Sequence, residues 1–338
     1  MNEPEASELA ALNEPEASEL AALNEAAASP AGLADVAGRV RGHVVDMCAG
    51  REGGHLGGSL SIVDILTVLY FGVLRVDPAW PENPDRDMFV LSKGHGALAL
   101  YATLAERGFL PVGELASYGQ PGSRLMGHPM RDLPGVEVST GSLGHGLSLG
   151  LGFALAARLA ASERRSFVIT GDGELQEGSC WETAACAAAQ RADNLVAIVD
   201  RNGLQLTGPT EGISPLEPLA DRWRAFGWSV READGHDQAA LAAALGATPW
   251  EPGRPSVLIA RTTKGHGIRF LAGKPVCHYA TLSERQHARA HASLASFQRG
   301  PRGQAPLGQA PLGQAPLVEA PLGEAPLSQP LLSPGEPA

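Results

Sequence analysis

Five short apolar runs govern what this chain can become: residues 88–91, 167–170, 195–200, 228–231 and 257–260, each followed by a glycine, polar or charged turn. Each is too short for a helix. Their near-continuous apolar character fits strands buried on both faces of a parallel sheet. Between them lie Ala- and Leu-rich stretches with helical spacing, at 59–74, 97–107, 147–161 and 181–191. This alternation predicts an α/β domain with a doubly wound, mostly parallel sheet and helices on both faces. In such folds ligands bind beyond the C-terminal ends of the strands, so the chemistry is expected just after the apolar runs.

The two ends follow different rules. Residues 2–12 read NEPEASELAAL and residues 13–23 repeat them, whereas 300–338 repeats APL every five residues. Isolated short helices are marginal in water, and dense Pro blocks helix and central strand alike. Residues 1–29 and 300–338 are therefore expected to be mobile tails around a folded domain at 30–299. The tails hold ten Glu against one Arg, nine of the eleven net negative charges. The domain itself is nearly neutral, which gives no electrostatic reason to expect nucleic acid. Cys48, Cys180, Cys186 and Cys277 form no CxxC pair, so neither a disulfide framework nor a structural zinc site is predicted from them. No apolar run reaches the roughly 18 to 20 residues of a membrane span. The start carries neither the basic residues nor the apolar block of a signal peptide. A cytoplasmic protein that does not enter the membrane is expected.

Two strand ends carry the strongest chemical signal. One apolar run closes in Gly171-Asp172-Gly173, and the next in Asp200-Arg201-Asn202-Gly203-Leu204. Asp172 and Asn202 offer oxygen ligands suited to Mg²⁺ or Ca²⁺, hard cations that also take phosphate oxygens. Gly171 and Gly173 let the backbone approach a diphosphate closely. This pairing resembles the diphosphate motif of thiamine-diphosphate enzymes. There the matching Asp, the Asn and the carbonyl two residues on bind the metal, which implies Asp172, Asn202 and Leu204 here.

Four further motifs narrow the family. GHLGGSLS (54–61), SKGHGALALY (92–101), MGHPMRDLPGVEVSTGSLGHG (126–146) and GDGELQEGSCWE (171–182) occur in the order and spacing of the N-terminal domain of transketolase. The resemblance covers about residues 38–295. It implies that His55 and His278 handle the sugar carbonyl oxygen and its protons, a task suited to imidazole, whose ordinary pKa lies near neutrality. It implies that His95 borders both diphosphate and substrate, and that His128 bonds the substrate's terminal hydroxyl. Cofactor contacts are implied for His95, His278, the loop Gly141-Ser142-Leu143, and Gly171, Asp172, Gly173, Glu174 and Asn202. Glu177 and Glu182 match acidic positions that join two cofactor sites across a dimer. His43, His236, His287 and His291 match no motif and are assigned to surface or packing. His266 follows a strand end, within reach of a phosphate.

The same resemblance implies a missing half. Thiamine diphosphate binds between a diphosphate domain and a pyrimidine domain, and no pyrimidine domain can be built from residues 296–338. The chain thus resembles the N-terminal subunit of a split transketolase. A separate subunit would carry the pyrimidine domain and its activating Glu, in an α2β2 assembly that is inactive without it. The implied substrates are small sugars or sugar phosphates. The implied reaction is transfer of a two-carbon ketol unit to an aldehyde. Two departures leave alternatives open: His145 stands where Gln is usual, and Val-Cys-His-Tyr surrounds His278 in place of Trp before and Gly after. One alternative is an acyl or acyloin transferase subunit of a specialised pathway. Another is a non-catalytic cofactor-binding subunit.

Overall fold

In the computed structural model, which describes residues 29–49 and 52–299, four of the five apolar runs become buried strands of one sheet. Strands β1 (Met88–Leu91), β2 (Ser166–Gly171), β3 (Leu195–Arg201), β4 (Ser229–Asp234) and β5 (Ser256–Arg261) pair in the order β1-β2-β3-β5-β4, every pair parallel. β4 corrects one expectation. It lies on a sheet edge with Arg231, Glu232 and Asp234 exposed, so it is not buried on both faces. Of the expected tails, 1–28 and 300–338 lie outside the described residues.

The period-two alternation of strand side chains sorts the core into two layers. Phe89, Leu91, Phe167, Ile169, Ile198 and Leu258 point to one face. There they meet α1 (Pro30–Cys48), α2 (Leu56–Leu60), α3 (Val63–Val68), α4 (Ala97–Arg107) and α9 (Gln238–Gly246). Val90, Val168, Ala197, Val199, Val257 and Ile259 point to the other. That face is covered by α5 (Gly146–Leu159), α6 (Gly178–Ala189) and α8 (Leu219–Ala225), while α7 (Thr210–Ile213) is a single turn after β3. The sheet is therefore doubly wound, as its sequence pattern predicts.

Helix ends follow local chemistry. Ser29 accepts from Gly32 N at 3.1 Å at the head of α1, and Asp237 accepts from Ala239 N and Ala240 N at the head of α9. α4 stops at Gly108, whose φ of 99° is left-handed. The helix expected over 59–74 is instead α2, a break at 61–62, α3 and a wide π turn at Leu69–Val73. The break is useful, since it lets the Ser61 hydroxyl donate to Asp200 at 2.7 Å. A final helix, α10 (Glu284–Arg299), packs back on α1. No helix among the described residues is long and apolar enough to cross a membrane. All four cysteines are free thiols.

Candidate active site

The carboxyl ends of β1, β2, β3 and β5 lie side by side in the sheet, and each is followed by a polar turn. Behind them sits a fully buried charge hub. Asp200 accepts from Lys93 Nζ, from Ser61 Oγ, from Asn202 Nδ2 at 2.9 Å and from Thr262 Oγ1. Burial alone would raise this carboxyl. The Lys93 ammonium and the hydroxyl bonds outweigh burial and hold it below the usual carboxylate range. Asp200 thereby orients Asn202, whose Oδ1 accepts from Leu204 N at 3.1 Å.

Asp172 ends β2 beside this hub and is 2% exposed. Its Oδ1 accepts from Gly173 N at 2.7 Å, and its Oδ2 accepts from Gly203 N at 2.7 Å and from Arg201 Nη1 at 3.0 Å. Gly203 reaches that position with φ +75°, a left-handed conformation that favours glycine. Burial, then the neighbouring Asp200, push the Asp172 pKa up despite Arg201. A carboxylate so placed is short of positive charge, and a divalent cation would supply it. Asp172, Asn202 and the Leu204 carbonyl form an all-oxygen donor set on adjacent turns, and this set fits Mg²⁺ or Ca²⁺.

Glu174 holds the neighbouring loops together. Its Oε1 accepts from Ser92 Oγ and from Gly144 N, and its Oε2 accepts from Gly171 N at 2.9 Å. Both oxygens thus hold backbone and hydroxyl groups, so Glu174 positions the loops of the site. Gly144, at φ +80°, lies so close to Ser179 and Glu177 that an added Cβ would sit 2.5 Å from Ser179 Oγ. This contact fixes the loop before it. Gly141 and Ser142 there are exposed and Leu143 is half-buried. Glu177 and Glu182 are exposed at the start of α6.

The four motif histidines meet. His55 has ring centroids 5.6 Å from His95, 5.7 Å from His128 and 5.4 Å from His278. Tyr279 closes on His55 edge-on at 4.9 Å. Burial, then the positive charge around it from His128, Lys264 and Lys93, push His55 down to about 4. Burial and Lys264 do the same to His278, also to about 4. His95 is driven well below its ordinary value by burial and Lys93, and His128 is lowered by burial. Burial, joined at three of them by neighbouring positive charge, thus favours the neutral imidazole at each of the four. His55 Nδ1 is buried without a hydrogen-bond partner, an unsatisfied atom of the kind a ligand would complete.

Sequence reasoning passed over the residue that ties these groups together. The Lys264 ammonium donates to His278 Nδ1 at 2.9 Å, to the Leu204 carbonyl at 3.0 Å and to the Gln205 carbonyl at 3.4 Å. One side chain thus links the histidine cluster to the candidate metal ligands. Because a neutral imidazole accepts at one nitrogen and donates at the other, this bond leaves the His278 proton on Nε2. Lys264 and Lys93 each follow a strand end inside a Gly-His motif, which was the available signal. His236 and His266 lie apart from the cluster, stacked at 3.4 Å, so the expected reach of His266 to a phosphate is replaced by packing.

Residues 34–298 match the family described as transketolase, thiamine diphosphate binding domain. The chain is 42% identical over 250 residues to one subunit of the apulose-4-phosphate transketolase of Phocaeicola vulgatus, covering 74% of this chain and 89% of that protein. It is 44% identical over 242 residues to the 6-deoxy-6-sulfo-D-fructose transketolase subunit SqwG of a Clostridium species, covering 71% and 88%. Among solved structures, transketolase from Leishmania mexicana superposes with a TM-score of 0.74 at 31% identity, over 81% of this chain and 43% of that one. The chain thus spans most of the subunit-length relatives and less than half of that longer transketolase.

Proposed function

This chain belongs to the transketolase family through its thiamine-diphosphate-binding domain, and from that premise we propose that it is the N-terminal subunit of a two-chain transketolase. The observation that carries the reading is the Lys264 bridge between His278 and Leu204, which joins a proton-handling cluster to an oxygen donor set. The proposed reaction moves a two-carbon ketol unit from a ketose or ketose phosphate to an aldehyde. Asp172, Asn202 and the Leu204 carbonyl would hold Mg²⁺ or Ca²⁺, and the metal would hold the diphosphate. Gly171 and Gly173 let the backbone approach that diphosphate, with Glu174 fixing the turn. Thiamine diphosphate supplies the electron sink for cleavage of the carbon–carbon bond.

The chain's own residues handle the protons. His278 presents its Nε2 proton to the substrate carbonyl oxygen, where it donates a hydrogen bond. His55, neutral and with Nδ1 unpartnered, takes and returns a proton at the adjacent hydroxyl. His95 and His128 bind and orient the sugar hydroxyls. The loop Gly141-Ser142-Leu143, whose Gly141 lies against His128, would meet the cofactor's ring.

The partner is proposed to be a second chain with the pyrimidine domain and its activating Glu, two copies of each forming the assembly. An exposed apolar rim supports this. Met126 and Met130 flank His128, Val276 and Tyr279 flank His278, and Leu206 follows the Leu204 turn. Such a patch fits burial against another protein. Expression of this chain alone and with its partner, each assayed for ketol transfer, tests the reading. Activity is expected only in the pair, in a complex of about twice the heterodimer mass by light scattering. Robust transfer by the chain alone would overturn it.

A further inference from the structure

Away from the strand ends, a second group of ligands converges on one point. His287 and His291 stand one turn apart on α10, and Asp46 lies in the last turn of α1. Both Nε2 atoms are 2.7 Å from the same oxygen, Asp46 Oδ1, and 3.1 Å from each other. Four-coordinate zinc with bonds of about 2.0–2.1 Å separates its ligand atoms by roughly 3.3 Å. The two Nε2 atoms are near the spacing such an ion imposes, and each lies about 0.6 Å inside it from Asp46 Oδ1, so the ion would enter with a small outward shift of an exposed carboxylate. As a metal-free hydrogen-bond cluster the arrangement is poor. Two ring N–H groups aimed at one oxygen would point their protons toward each other across 3.1 Å. Two lone pairs and a carboxylate oxygen aimed at a cation satisfy all three.

The other histidine–carboxylate group shows the contrast. Asp64 accepts from Arg41 and Gln238, His236 Nδ1 bonds Asp64, and His236 Nε2 accepts from Thr263 N at 2.9 Å. There the Asp64 carboxylate and both His236 nitrogens are engaged, and a guanidinium already supplies the positive charge.

We propose that Asp46, His287 and His291 form a divalent transition-metal site, zinc by its donor set, with a fourth position open to water. The site ties α1 to α10 at the base of a paired segment. From that base Cys48 O accepts from Leu282 N, Tyr279 OH donates to Glu52 O, and Gly54 pairs with Ala280 in both directions. The free ends of that pair carry His55 and His278. The ion thus braces the two segments that present these histidines.

Titration of Zn²⁺ into the full, untagged chain in excess Mg²⁺ tests this by calorimetry, with Co²⁺ absorption reporting geometry. One Zn²⁺ per chain is expected, with equal affinity in wild type and in Asp172→Ala, which leaves this site intact. The double variant His287→Gln/His291→Gln should bind at least about 100-fold more weakly and lose the intense visible bands of four-coordinate cobalt. Asp46→Asn, similar in size and exposed, should weaken binding about tenfold or more without moving the metal-free melting temperature. No stoichiometric zinc in wild type, or wild-type affinity in the double variant, would overturn the proposal.

Discussion

Two histidine groups in this fold each hold a buried imidazole of depressed basicity, His55 in one and His266 in the other, yet differ in what they leave undone. At the strand ends, burial and lysine charge push His55 and His278 down to about 4. In the turns after β4 and β5, burial and His236 push His266 down to about 2. In the second group the hydrogen bonds close on themselves: His236 spans Asp64 and Thr263 N, and its ring stacks on His266. In the first, His55 Nδ1 is left buried and unpartnered. Such an atom costs about 1–3 kcal/mol, a cost tolerated where a ligand later satisfies it. A depressed histidine pKa by itself therefore marks burial, whereas a depressed pKa with an unsatisfied atom marks a site.

The comparison breaks most visibly at Asp172. Asp172→Ala removes the proposed charged ligand and leaves Arg201 without its buried partner. Thiamine diphosphate binding, measured by calorimetry on the assembled pair with Mg²⁺, should fall by at least about 100-fold. Wild-type affinity would sink the metal assignment. Asn202→Ala should weaken binding less, because a neutral ligand is lost. His55→Ala comes next. It should lower kcat by about 10²- to 10⁴-fold while cofactor affinity stays nearly constant. A loss confined to KM would make His55 a binding residue and remove the distinction between the two groups.

Much of this site was legible because it lies in short motifs at strand ends. The GDG turn, the Asn-Gly-Leu turn and four histidines are each visible in a few consecutive residues, and topology brings adjacent strand ends together by rule. What was not legible depends on contacts between distant segments. Lys264 reads as an ordinary loop lysine until the fold sets it on His278 and Leu204. Glu174 reads as a cofactor contact, and only the fold shows its oxygens holding Ser92, Gly144 and Gly171. α10 carries little apolar signal, with only Ala290 and Leu294 buried, and periodicity alone did not expose it. The 228–231 run looked like a central strand because Trp228 is buried, although the strand it opens is at the edge.

Lys264 sharpens the comparison through pH. Its charge helps to lower both His55 and His278. Lys264→Gln removes that charge, so both imidazoles should titrate closer to their ordinary value of about 6.5. Protonation inactivates an imidazole that must accept a proton. The acid limb of kcat against pH should therefore move upward, toward neutrality, in the variant. The His278 tautomer also loses its lock, and kcat at pH 8 should fall by about tenfold. An acid limb unmoved by the substitution would show that Lys264 does not set the basicity of the cluster.

The smallest effect is expected at His266. Its ring stacks on His236 and meets Phe297 edge-on at 4.9 Å, and none of the hydrogen bonds at the Asp64 group uses its nitrogens. His266→Phe keeps both ring contacts, so ketol transfer by the assembled pair should stay within about twofold of wild type, as for a substitution that leaves site and hydrogen bonds intact. Stability should separate the two proteins only on the acid side. The folded pKa of His266 lies far below its unfolded value, so the unfolded chain binds the extra proton as pH falls through about 6.5, and folded wild type loses stability there. Phenylalanine has no proton to bind. The variant's melting temperature relative to wild type should therefore rise between pH 7.5 and pH 5. A tenfold loss of activity would instead place His266 on the substrate, and the contrast between a closed and an open histidine group would fail at the residue meant to define it.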